Sequence, residues 1–151
     1  MGHWQVWEDL QQRTHIELAW AYLVGHRGRI DELGNGRRLI TLDARLRQVD
    51  RRAVLAHELV HDDRGILFTL STPLALIHKE EAYVVAETAR RLVPCAELGQ
   101  LVRRAVDDGD PVGWREVAEW FDVPRAVAEL ALLQLTRSSV GPVRPRSPAA
   151  T

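Results

Sequence analysis

The five residues His57-Glu58-Leu59-Val60-His61 constrain this chain more than any other stretch. Histidines four apart share one face, about one turn apart, when the backbone is helical. No Gly or Pro interrupts positions 48 to 63, and Val49, Ala53, Ala56, Leu59 and Val60 form an apolar helical stripe. The spacing predicts a helix over 48–62. On that helix both imidazoles can reach a single tetrahedral Zn²⁺. Glu58 follows the first histidine directly, where a carboxylate can serve as general base toward a water in the metal's open position. The competing reading is a surface helix with two incidental histidines.

A chain of 151 residues is long enough to bury one real core. Its net charge of −1 offers no global electrostatic case for nucleic acid. The basic pairs Arg37-Arg38, Arg51-Arg52, Arg90-Arg91 and Arg103-Arg104 each stand near acidic residues and read as solvated faces. Cys95 is the single cysteine, which excludes an internal disulfide and suits a reducing compartment. The opening residues show no basic segment followed by an apolar run. The most apolar stretch, 65–78, is too short to span a bilayer and contains Pro73. The expectation is a cytoplasmic protein with no membrane partner.

Along the chain, Trp4, Val6, Trp7 and Leu10 predict a first helix over 3–12. Ile16, Leu18, Trp20 and Tyr22 alternate with less apolar residues as in a half-buried strand, and Gly25 and Gly28 punctuate the turn after it. A short strand at 29–33, the turn Gly34-Asn35-Gly36 and a strand over 38–44 follow. From residue 48 the period is helical, with helices expected at 48–62, 78–92, 95–106, 113–121 and 124–136. The fold class is α+β: a small antiparallel sheet on a mainly helical, zincin-like core with C-terminal helices. The domain is expected over 1–136. Residues 137–151, rich in Ser, Pro and Ala, read as a disordered tail. Strand 38–44 runs closely into the zinc helix and could be an edge strand that receives an extended peptide, or equally a purely structural strand. Leu67, Phe68, Leu70 or Leu74 would supply an apolar subsite.

A catalytic zinc site needs a third protein ligand. Helix 78–92 offers His78, Glu80, Glu81 and Glu87. Its expected buried stripe is Val85, Thr88 and Leu92, and Glu81 lies four before Val85 on that stripe. Glu80 shares a more polar face with Val84, Glu87 and Arg91 and suits a surface or supporting position. Glu81 is therefore the expected ligand, with an exposed helix carboxylate as the alternative.

The run Ile40-Thr41-Leu42-Asp43-Ala44-Arg45-Leu46, then Arg51-Arg52-Ala53-Val54-Leu55-Ala56 into the His57–His61 motif, resembles the ImmA/IrrE family of metallopeptidases. The ending Arg91-Leu92-Val93-Pro94 is similar to the family's Leu-Leu-Met-Pro stretch. The resemblance spans about 14–135, carried by two helices, and implies that the zinc-binding glutamate, thirteen before that proline, is Glu81. Val85, Glu87 and Val60 depart from the family's usual residues. The resemblance implies a zinc endopeptidase acting on a regulatory protein, often a helix-turn-helix repressor in phage, mobile-element or stress circuits. The alternative is a non-catalytic regulator that binds a repressor or DNA through the same fold; an intact Glu58 favours the enzyme.

Segment 112–136 resembles a helix-turn-helix core with Ala118, Phe121, Val123 and Val127 inside. Its second helix offers Arg125, Glu129 and Gln134 among Ala and Leu, a poor base-reading face, which favours packing or partner docking over direct DNA binding. Trp4, Trp7, Trp20, Trp114 and Trp120 are expected to be mostly core, with one or two left to line a partner groove.

Overall fold

The computed structural model describes residues 3–66 and 68–139. Helix α1 (Val6–Gln12) leads into strand β1 (Ile16–Ala21), then β2 (Gly28–Gly34) and β3 (Arg37–Asp43). Five helices follow: α2 (Gln48–Arg64), α3 (Leu74–Leu92), α4 (Cys95–Asp108), α5 (Trp114–Phe121) and α6 (Arg125–Ser139). The architecture is α+β, as the periodicity predicts. Helix α6 continues to Ser139, three residues past the expected boundary, where the Ser138 and Ser139 hydroxyls donate to the Gln134 and Leu135 carbonyls four residues back. The rest of the expected tail, 140–151, lies outside the described residues.

The sheet differs from expectation in direction and order. It is mixed: β3 pairs antiparallel with β2 and parallel with β1, in the order β1-β3-β2. Asn35 and Gly36 both take positive φ between the Gly34–Arg37 pair, the backbone of a two-residue primed hairpin turn. That hairpin settles one side of β3, and β1 takes the other. Strand β3 is therefore central, so of the two readings of 38–44 the structural strand holds and the edge strand does not. Alternation along a strand reports which face is wet; it carries no information about neighbours. Ile40, Thr41, Leu42 and Asp43 are all buried, the mark of a strand covered on both faces. The edge strand packed against α2 is β2.

Helix α2 runs through the middle of the molecule, touching β2, β3, α1 and α3. Leu55, Ala56 and Leu59 join Ile40 and Leu42 of the sheet, Leu92 of α3 and Val117 and Phe121 of α5 in one apolar core. Arg52 of α2 donates to the carbonyls of Phe121 (3.1 Å), Asp122 (2.8 Å) and Trp4 (3.3 Å), tying the end of α5 and the N-terminal segment to α2. In the C-terminal helices Phe121 and Val123 are buried and Ala118 and Val127 pack against the core, as the helix-turn-helix reading expects. Arg125 is engaged by Glu129 at 2.7 Å and lies over the Trp114 ring. The tryptophans are less buried than expected. Trp7, Trp20 and Trp120 are exposed, with Trp7 stacked on Trp20, and Trp4 and Trp114 are half-buried. Aliphatic side chains fill the core instead.

Candidate metal centre

Helix α2 places His57 and His61 side by side, with their Nε2 atoms 3.1 Å apart. Two nitrogens each 2.0–2.1 Å from one tetrahedral ion would stand roughly 3.3 Å apart. Glu81 of α3 completes the group: Oε1 lies 2.9 Å from His61 Nε2, and Oε2 lies 3.3 Å from His57 Nε2. One ligand atom from each residue falls within 4.8 Å of the others. Two imidazoles and one carboxylate make up a donor set common at catalytic zinc, one short of a closed tetrahedron. The three residues expected from the sequence thus come together. His78 is not in the group.

The route from sequence to Glu81 needs correction. The buried stripe of α3 is Glu80, Val84, Thr88 and Leu92, whereas Val85 is 45% exposed. Glu81 lies on the margin of the α2–α3 interface, half-buried, with exposed Leu74, His78 and Val85 along its own face. A metal centre needs an open side, and the margin of a helix pair provides one. Glu80, expected on a polar face, is buried. Arg64 at the end of α2 grips it through Nε (2.7 Å) and Nη2 (2.9 Å) and lies over the Tyr83 ring. This pair joins the C-terminal end of α2 to the turn of α3 that carries Glu81.

Electrostatically the trio is coupled. The His57 and His61 rings hold the Glu81 carboxyl well below the usual range. Burial works against a charged His61, but Glu81, Glu58 and Glu80 outweigh it and raise its pKa. Burial pushes the Glu58 carboxyl up, while His57 and His61 pull the other way. Glu58 is 5% exposed and makes no hydrogen bond or ion pair among the described residues.

Sequence reasoning missed Gly28, treated as turn punctuation. A Cβ there would lie 2.5 Å from Val54 Cγ1 and 2.9 Å from Glu58 Oε1, so β2 presses its backbone against the Glu58 side chain. Only glycine permits that approach. A glycine opening a strand pattern was the available signal. The loop after α2 is shorter than expected, because α3 begins at Leu74; Phe68 is half-buried, Ile66, Leu70 and Leu74 are exposed, and Leu67 lies outside the described residues. No helix among the described residues is long and apolar enough to cross a membrane. Comparison with family models, curated proteins and solved structures finds no match to this chain, so the resemblance to the ImmA/IrrE metallopeptidases rests on its motif residues alone.

Proposed function

We propose that this chain is a zinc-dependent endopeptidase of the reducing cytoplasm that cleaves a regulatory protein, with a helix-turn-helix repressor as the substrate class the motif resemblance suggests. The observation that carries this reading is Glu58. Its side chain is nearly buried, its oxygens are still reached by solvent, and no hydrogen bond or ion pair among the described residues engages it, which leaves the carboxylate available for chemistry. Here it stands beside two imidazoles and a carboxylate gathered around one point.

His57, His61 and Glu81 would hold the ion. When bound, zinc polarises the scissile carbonyl and acidifies water. Glu58 takes the proton from the attacking water and passes it to the departing amine; its raised pKa brings it closer to neutrality, as such a shuttle needs. Strand β2 is a sheet edge pressed against Glu58, which supports pairing with an extended main chain along the site. Exposed Leu70, Leu74 and Val85 favour apolar side chains in that segment.

The test incubates the zinc-loaded chain with a panel of helix-turn-helix repressors, any encoded beside its gene included, and identifies fragments by mass spectrometry. Cleavage by wild type and none by Glu58→Gln supports the reading. Relief of repression that persists in Glu58→Gln would assign the function to binding. Elemental analysis of Glu81→Ala tests the third ligand: undiminished zinc would reject it.

A further inference from the structure

A strand inside a sheet bonds on both sides, whereas a strand at the rim leaves a row of N–H and C=O groups open to another strand. Strands β1 and β2 are the two rims of this sheet. Strand β2 carries Arg29, Asp31 and Glu32, and its register shifts between Glu32 and Gly34. Charges and irregularities of this kind discourage pairing with an identical strand. Strand β1 has neither defence. Glu17 is its one charged residue and is already paired with Arg37 of β3. Its register with β3 runs from Ile16 to Ala21 without a shift.

The main chain shows which groups are spare. The His15 carbonyl accepts from Arg38 N–H and the Ala21 carbonyl from Ala44 N–H, each at 2.9 Å. Alternate residues of a strand face the same neighbour, so Glu17, Ala19 and Ala21 bond to β3 while Leu18 and Trp20 turn their N–H and C=O groups outward. Among the described residues no group bonds to the outward main chain of Leu18 or Trp20. Ile16 also faces outward, but its N–H donates to the Arg13 carbonyl (3.0 Å). The side chains along this rim are apolar and exposed: Trp20, stacked on Trp7, and beyond it Tyr22 and Val24.

We infer that β1 is a homodimer interface, at which β1 of a second copy adds antiparallel about a two-fold axis through Ala19 and joins the two sheets into one. Leu18 of one copy then faces Trp20 of the other, and each such pair exchanges both its N–H···O bonds. Ala19 meets its counterpart at the closer, non-hydrogen-bonded position, where a methyl group fits. Glu17 lies opposite Ala21, so no charge meets a like charge. On the other face Trp20 lies against Leu18, an aromatic–aliphatic pair across the strands. The occupant is a second copy because the strand matches its own reverse in both charge and size, which is the self-complementarity a closed two-fold dimer requires. The surface beside Glu58 lies at the opposite rim, along β2, and stays open in this dimer. The inference is independent of the hydrolase reading.

The experiment is sedimentation velocity of the full chain over a wide concentration range, with a reversible dimer expected. Ala19→Lys puts like charges on the axis and should weaken dimerisation about tenfold or more. Ala19→Asp should do the same, and an equimolar mixture of the two variants should restore the dimer. Cross-linking tests the register in a Cys95→Ser background, which removes the single native thiol. On mild oxidation Ala19→Cys should form a disulfide-linked dimer, whereas Ala21→Cys, which faces Glu17 instead of itself, should not. These cysteine variants change little volume and decide the question if Ala19→Lys fails to fold. A wild type that stays monomeric at every concentration overturns the inference. So does a dimer that Ala19→Cys fails to cross-link, since it must use another face. A monomer that binds a helix-turn-helix repressor, and loses it in folded Ala19→Lys, overturns self-pairing and gives this rim to the repressor.

Discussion

Glu58 and Asp62 stand one turn apart on the same helix, both nearly enclosed, and the fold treats them in opposite ways. Asp62 has a side chain only 5% exposed and is met by Arg13 Nη1 (2.9 Å), His15 Nε2 (2.9 Å) and Arg38 Nη1 (2.8 Å). Its neighbour Asp63 is held by Arg13 and Arg91. These pairs bind the segment after α1, the start of β1, strand β3 and helix α3 to one end of α2. Glu58 receives no such partner. Ion pairing is abundant around α2, so the unpaired carboxylate of Glu58 is a local exception. The carboxylate that serves architecture is neutralised, and the one to which the proposed function assigns proton transfer is left unpaired.

That contrast can be broken most forcefully at Glu58 itself. In Glu58→Gln we expect hydrolysis to fall by about 10²–10⁴-fold, with zinc content and melting temperature preserved. A drop in melting temperature of several degrees would mean that the carboxylate is structural after all. Asp62→Ala should behave in the opposite way. It removes the carboxylate that Arg13, Arg38 and His15 share, while Arg13 keeps Asp9 and Asp63 and Arg38 keeps Glu32, and should cost about 1.5 kcal/mol in urea unfolding. Stability unchanged there would erase the distinction.

Gly28→Ala sharpens the comparison, because it disturbs Glu58 without altering any ionisable group. The new methyl meets Val54 and Glu58 well inside contact distance. Overpacking of this kind costs about 1–3 kcal/mol, and activity should fall by more than the unfolded fraction explains. Kinetics at a temperature where the variant is fully folded separates the two effects. On the open side of the site, Leu70→Lys should lower cleavage of apolar protein segments severalfold with no change in melting temperature, since Leu70 is fully exposed. A loss of folding would place that loop in the core.

The mildest change is in pH. Arg45 holds the Asp43 carboxyl well below its usual value. Burial alone would raise Asp50, but Arg47 and Arg27 outweigh it and lower its pKa. A group depressed in the folded state adds stability above its unfolded pKa, near 3.9 or so, and loses it as pH falls through the folded value. Urea midpoints should therefore hold above about pH 5 and decline below about pH 4. In Asp43→Asn the decline should be shallower.

Much of this was legible in the residues. The His57–His61 spacing has one helical solution, and Asn35-Gly36 has a preferred turn, because both depend on residues a few positions apart. Glu81 was reached by an apolar stripe that the structure moves onto Glu80 and Val84. That stripe failed because one helix does not reveal whether its neighbour covers the centre or the margin of a face. Trp7, Trp20 and Trp120 misled for a related reason: bulk and apolarity favour burial, but the aliphatic residues of α2 and β3 already fill the interior.

By itself the sequence determined most of the helices, the hairpin and the pairing of two histidines on one face at residues 57–61, since periodicity, turn preference and ligand spacing are local properties of the chain. Only the tertiary structure decided that β3 is central, that β2 lies on Glu58, that Arg64 claims Glu80 and that three arginines and a histidine gather around Asp62 and Asp63. These follow from which distant segments share a face, and burial energy is nearly indifferent to order along the chain.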